Sequence, residues 1–367
     1  MLSLYHRAIM DRRRHLLGTF LFIIQAIAFP AAKAQTSRLS TASVSRSTSP
    51  SRPDPVSPET TPRFDVTILG AAGGLEDGNL SAYLLREHGA ATGVLLDAGT
   101  VLNGIERAEQ SHGFDTLPLE GKGTPAQTGT ILHKVIQGYL ISHAHLDHVA
   151  GLVIVSPDDP GKPVYALPSV NAALEDNLFN HRIWPNLGDR GVKPAFGLLH
   201  YRDLAVGQMM DLAHTGLTVT AYPLSHGGVE STAFLVHSGK DALLYLGDTG
   251  PDNVEHSHRL EALWQDVAPL VRAGRLRGII IECSYDNRQP DSRLYGHLTP
   301  RWLLQELGVL RDHAGVSMKG FPVLVSHIKP TLDDNGAVRT TIARELAEGN
   351  RDGFRFILAE QGRALSF

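Results

Sequence analysis

Short apolar runs recur along the chain between Gly-, Pro- and Asp-rich breaks. Asp65 to Leu69, Ala82 to Leu85 and Val94 to Leu96 lie between Gly-rich turns and predict three strands at hairpin spacing. Later runs predict strands at 138–141, 163–166, 217–222, 233–237, 242–246, 278–281 and 323–325. Apolar positions at helical spacing predict helices near 168–179, 257–272, 299–312 and 338–347. No short period repeats. Strands come first and helices are interleaved later. An α/β fold satisfies that order, with two sheets packed face to face and helices outside.

The N-terminal part follows a different pattern. Arg12, Arg13 and Arg14 precede a mostly apolar stretch from Leu16 to Ala32, and Ala32-Lys33-Ala34 has the form of a cleavage site. A signal peptide over 1–34, cut after Ala34, is expected. Gln25 and Pro30 interrupt the apolar stretch, which is short for a membrane span, so no stable span is expected after cleavage. The expected location is the periplasm or the medium. Residues 35–62 are dominated by Ser, Thr and Pro, a composition that cannot bury a core and predicts a disordered linker. The folded domain is expected over 63–367.

Composition narrows the function classes. The chain has 367 residues, 42% of them hydrophobic and 20% charged, which is ample for a large core. A net charge of −4 argues against a nucleic-acid polymer as partner. With one cysteine, Cys283, no intramolecular disulfide can form. If the chain is oligomeric, a homodimer is the default.

The candidate chemistry is concentrated in His143-Ala144-His145-Leu146-Asp147-His148, between the strand predicted at 138–141 and an apolar run that could start a helix. Three imidazoles and a carboxylate within six positions are the donor types that zinc prefers. His226, Asp248 and His327 each follow a predicted strand in the same way. Singly they read as polar caps or turn residues. Together they would converge on one rim if the strands are neighbours. Gly70, Gly73 and Gly74 read as a turn, because no Lys-Ser/Thr follows them.

His143-x-His145-x-Asp147-His148 followed by His226, Asp248 and His327 resembles the metallo-β-lactamase superfamily. The stretch from His143 through Ser156-Pro157 resembles the signature of class II 3′,5′-cyclic-nucleotide phosphodiesterases. Asp97-Ala98-Gly99-Thr100, Phe179-Asn180, Ile183-Trp184-Pro185-Asn186, Ile281-Glu282-Cys283-Ser284-Tyr285 and Gly296-His297-Leu298-Thr299-Pro300 are similar to that family as well. The resemblance runs from about Phe64 to the C-terminus and implies an αββα sandwich of the metallo-β-lactamase type.

It also implies two divalent metal ions, zinc first. His143, His145 and His226 would hold one; Asp147, His148 and His327 would hold the other; Asp248 would bridge them. The implied reaction is attack of a metal-bridging hydroxide on a small-molecule 3′,5′-cyclic nucleotide, cAMP first and cGMP second, giving a 5′-monophosphate. Asp147 would also orient the hydroxide. His297, held by Glu282, would protonate the leaving oxygen, by analogy with the tRNA 3′-processing endonucleases. Other hydrolases of the superfamily act on lactams, thioesters or other phosphodiesters, and Asp248 argues against lactams. A di-iron redox protein would need an electron-carrier domain, and a nucleotide-sequestering module would not need all seven ligands.

Overall fold

The computed structural model describes residues 61–117, 124–332 and 336–367. The expected signal peptide and nearly all of the expected linker lie outside the described residues.

Six strands open the fold: β1 (Phe64–Gly70), β2 (Ala82–Glu87), β3 (Gly93–Leu96), β4 (Ile136–Leu140), β5 (Lys162–Ala166) and β6 (Leu199–Asp203). Seven more follow: β7 (Met209–Asp211), β8 (Thr218–His226), β9 (Val229–Ser238), β10 (Asp241–Leu246), β11 (Leu276–Glu282), β12 (Pro322–Ser326) and β13 (Arg355–Leu358). The last strand, β14 (Ala364–Ser366), returns to pair with β1. Two seven-stranded sheets result, ordered β14-β1-β2-β3-β4-β5-β6 and β13-β12-β11-β10-β9-β8-β7.

Each sheet is antiparallel on one side and parallel on the other. Parallel neighbours need long crossovers, and helices supply most of them. The helices are α1 (Leu102–Gln110), α2 (Thr124–Thr130), α3 (Leu146–Val155), α4 (Pro168–Asn177), α5 (Asp252–Glu255), α6 (Arg259–Arg272), α7 (Pro300–Ala314) and α8 (Ala337–Gly349). α3 joins β4 to β5, α4 joins β5 to β6, α6 joins β10 to β11, α7 joins β11 to β12, and α8 joins β12 to β13.

Side-chain alternation along the second sheet divides the core into two layers. Leu243 and Tyr245 of β10 join the cluster that also holds β1 to β5, whereas Ala242, Leu244 and Leu246 join the one beneath α6, α7 and α8. Both faces of that sheet are therefore buried, as parallel sheets require. Tyr83 of β2 meets Tyr245 with ring centroids 5.6 Å apart, which ties the first sheet to the second.

The expected strands and helices are all present. The elements added by the structure are α1, α2, α5, β6, β7, β13 and β14. β7 and β14 have only three residues each and alternate exposed with partly exposed positions, leaving little apolar signal. β8 also runs further than expected, through His226. Its extra residues pair with β9 as far as His226 and Val229, across a turn at Gly227 and Gly228. Both glycines have positive φ (56° and 90°), the conformation that a tight hairpin demands. His226 thus ends a strand rather than following one.

α6 and α7 bury one carboxyl between them. Glu306 accepts hydrogen bonds from Trp264 Nε1 (3.2 Å) and from the Asp252 backbone N–H (3.3 Å). Burial, aided by the Asp252 carboxylate, pushes its pKa from 4.5 up to about 7 against the opposing pull of the Trp264 bond. The folded state therefore holds this proton more tightly than the unfolded chain. Stability from this group is full below about pH 4.5 and is lost as pH rises through about 7. Thermal denaturation of wild type against Glu306→Gln should show wild type losing several degrees relative to the variant between pH 5 and 8. A constant difference across that range would refute the assignment.

Candidate metal centre

The strands end in a common rim, and the chemistry lies there. β4 delivers His143 through Ile141 and Ser142, and α3 starts at Leu146 with Asp147 and His148 in its first turn. β8 ends on His226, β11 ends on Glu282, and Asp248 and His327 follow β10 and β12. His297 enters from the loop before α7. All nine residues singled out in the sequence are brought together here.

Two triads stand side by side. His145 Nδ1 lies 3.0 Å from His143 Nε2 and 3.2 Å from His226 Nε2. His327 Nε2 lies 3.2 Å from His148 Nε2 and 3.3 Å from Asp147 Oδ2. Between the triads, Asp248 Oδ2 lies 3.2 Å from His148 Nε2, 3.3 Å from His327 Nε2, 3.7 Å from His226 Nε2 and 3.8 Å from His143 Nε2. Donors at zinc–imidazole distances of roughly 2.0–2.1 Å stand about 3.3 Å apart across a tetrahedron. The spacing within each triad fits a divalent cation, and Asp248 is placed between the two.

The outward nitrogens confirm the direction of the rings. His148 Nδ1 is 2.7 Å from Asp97 Oδ2, His226 Nδ1 donates to Gly296 O at 2.7 Å, and His327 Nδ1 and His143 Nδ1 each lie 3.0 Å from a serine hydroxyl, Ser284 and Ser142. With Nδ1 engaged, each of these rings turns Nε2 inward with its lone pair, the arrangement typical of histidines around a metal.

Electrostatics fit the same donor set. Burial, with His148 adding to it, holds His143 well below the usual imidazole range, and burial brings His226 down to about 4. His145 is lowered by burial and then by His148. Asp248 is buried, yet His327 and His148 outweigh burial and hold it well below the usual carboxylate range. Asp147 is held low in the same way by His327 and His148. Neutral imidazoles and ionised carboxylates are the forms that bind metal. His148 differs: burial opposes its protonation, but Asp248 and Asp97 outweigh that and raise it well above the usual range. A ring flanked by two buried carboxylates calls for a positive charge, as a proton or as a cation at Nε2.

Residues 64–362 match the sequence profile of the cAMP phosphodiesterases class-II. The chain belongs to this family. This class-II phosphodiesterase is 44% identical over 306 residues to a 3′,5′-cyclic-nucleotide phosphodiesterase of Aliivibrio fischeri, covering 83% of this chain and 93% of that one. It is 42% identical over 309 residues to a probable 3′,5′-cyclic-nucleotide phosphodiesterase of Yersinia pestis, covering 84% and 90%. Its structure is similar to that of unliganded yeast PDE1, with a TM-score of 0.74 at 25% identity over 84% of this chain and 100% of the other. A metallo-β-lactamase fold protein of Bacillus subtilis shares the fold at a TM-score of 0.54, 16% identity and 84% coverage of this chain. The αββα architecture expected from the sequence is therefore that of this class-II phosphodiesterase.

Several supporting residues carried no assigned role in the sequence. Asp97 is fully buried and accepts from Ser142 N (2.7 Å), Ser142 Oγ (2.7 Å) and Tyr245 OH besides facing His148. Ser284 Oγ donates to Glu282 Oε2 at 2.6 Å while facing His327 Nδ1. Asp97 and His327 both have positive φ (53° and 52°), an uncommon conformation for non-glycine residues that functional sites tend to retain. Gly73 belongs to the turn read from the sequence, but a Cβ there would stand 2.3 Å from the His327 ring. Phe179 is fully buried and Trp184 packs against the core, as aromatics usually do. Cys283 is buried, and burial raises its thiol well above the ordinary range.

Loss of these supports should appear in metal binding. Asp97→Asn and Gly73→Ala should each weaken metal affinity by about 10–100-fold in chelator competition, and Asp97→Asn should also lower the melting temperature, because an amide cannot accept from all of the carboxylate's donors. Unchanged affinity in both would refute the placement of His148 and His327.

Proposed function

We propose that this class-II phosphodiesterase hydrolyses 3′,5′-cyclic nucleotides, cAMP first, to nucleoside 5′-monophosphates. The observation that carries the reading is Asp248 Oδ2 set between two ligand triads, in a chain of this family. His143, His145 and His226 would hold one divalent cation, Asp147, His148 and His327 the other, with Asp248 shared; the nitrogen and oxygen donors favour zinc. Bound in this way, the cations would lower the pKa of water and neutralise charge on the phosphoryl oxygens.

The protein's own groups do the rest. Asp147 Oδ2 accepts from Gly74 N at 3.0 Å, which keeps the carboxylate aimed at the rim, where it orients the attacking water. A bond forms from that water to phosphorus, its protons stay with the product phosphate until solvent takes them, and the bond to the 3′-oxygen breaks. His297 gives the leaving oxygen its proton. Glu282 holds the His297 ring through Nδ1 at 2.8 Å, and this carboxylate raises the imidazole against the opposing effect of burial. Glu282 stays ionised, since His297 outweighs burial there and Thr249 N, Ser284 N and Leu298 N also donate to it. A cavity of about 360 Å³ lined by Ala144, His145, Val170, Ala173, Asn177 and Val229 opens beside the first triad. Its size and largely apolar wall suit a nucleoside.

The test is hydrolysis of cAMP by purified protein, followed by chromatography. Conversion to 5′-AMP should fall by at least about 10³-fold on chelation or in Asp248→Ala, and return with added metal only in wild type. A metal-loaded protein with no turnover of cAMP or cGMP would refute the reading and direct attention to other phosphoesters, thioesters and lactams.

The leader read over residues 1–34 supports export ahead of a 35–62 linker and a catalytic domain over 63–367. Phosphodiesterase activity in the periplasmic fraction of cells expressing the full chain is the expected result, and activity confined to the cytoplasm would contradict it.

A further inference from the structure

We propose that Lys329 is the cation that holds a non-bridging oxygen of the substrate's phosphate, a role that rests on the phosphodiester reading above. The residue lies two positions after His327, on the same rim, and its Nζ is 2.8 Å from His297 Nε2. His297 Nδ1 faces Glu282 at 2.8 Å, so in the neutral ring Nε2 presents its lone pair and the ammonium donates to it; once Nε2 carries the proton meant for the 3′-oxygen, that acceptor is gone and the ammonium is released toward the phosphate. One of three ammonium N–H bonds is thereby engaged. Among the described residues, no second protein acceptor and no carboxylate partner faces Nζ. A half-buried ammonium with donors to spare, at the edge of a site built for cations, calls for an anion between it and that site.

Position identifies which anion. If the leaving 3′-oxygen takes its proton from His297 Nε2, the other oxygens on the same phosphorus are one tetrahedral edge away. Nζ is already within hydrogen-bond distance of that nitrogen. The side chain is also held in place. Its backbone N–H donates to Ser284 O at 3.1 Å, and its stem crosses Gly74, where a Cβ would lie 3.7 Å from Cδ. The bland alternative is that Lys329 serves only to hold the His297 ring.

The experiment compares wild type, Lys329→Met and Lys329→Arg on cAMP and on the two diastereomers of adenosine 3′,5′-cyclic phosphorothioate. Binding of 5′-AMP to the metal-loaded proteins is measured by calorimetry, with metal content and melting as controls. A clamp on one oxygen predicts a loss of about 10–100-fold in kcat/KM for cAMP in Lys329→Met, the size of a charged hydrogen bond, with most of it recovered in Lys329→Arg. It also predicts a change in the ratio between the diastereomers, because only one places sulfur opposite the lysine, and weaker binding of 5′-AMP. Equal losses on both diastereomers with unchanged 5′-AMP affinity would overturn the proposal and leave a ring-holding role. Activity of Lys329→Met within about twofold of wild type would overturn it as well. Failure of the phosphodiesterase reading is separate: wild type would then turn over no cyclic nucleotide, while weaker binding of inorganic phosphate to Lys329→Met would still uphold the anion site.

Discussion

The carboxylate of Asp97, at the end of β3, takes hydrogen bonds from the strand-to-helix loop at Ser142, from His148 and from Tyr245 of the other sheet. Those partners belong to two distant parts of the chain, the β4–α3 segment and β10, and the second triad is oriented by the same charge that joins the sheets. A buried carboxylate is costly unless each oxygen is satisfied. Here the donors that satisfy it are also those that fix the loop and the ring. Removing any one leaves the others with an under-satisfied charge, so the fold and the centre stand or fall together.

Around that tie the site is built on paired requirements. Inward nitrogens must be free of protons, and outward nitrogens must be held. The serines at 142 and 284, the Gly296 carbonyl and Asp97 meet the second requirement for four rings. Ser284 also gives its proton to Glu282, which in turn receives His297. One hydroxyl therefore couples the ligand side of the site to the proton-donating side. The strained backbone at Asp97 and His327 is consistent with a site whose geometry is imposed by its surroundings.

The fold explains why so many separate segments can meet. Each sheet runs its parallel strands to the same edge, and His143, Asp248 and His327 lie within three residues of the strands they follow. β4, β10, β11 and β12 are deeply buried on both faces, so the loops are anchored by the most rigid part of the molecule. The cavity beside His145 opens between α4 and the start of β9, outside that rigid edge.

Much of this was legible in the residues. The apolar runs marked the central strands and the longer helices because burial writes a strong local pattern. The spacing of His143, His145, Asp147 and His148 marked the first ligands because one loop carries them. His226, Asp248 and His327 were legible only as an ordered series after strands, and it took the sheet order to bring them within hydrogen-bond distance of that loop. The short edge strands β7 and β14 and the role of Asp97 carried no local signal, since their partners are distant in the chain. Lys329 was silent for the same reason: a lysine after a strand is ordinary until its ammonium is seen against His297. Sequence determined which donors exist and how each segment folds, through local pattern and side-chain chemistry. Tertiary structure decided which donors face one another, because that depends on how two sheets place strand ends separated by long stretches of chain.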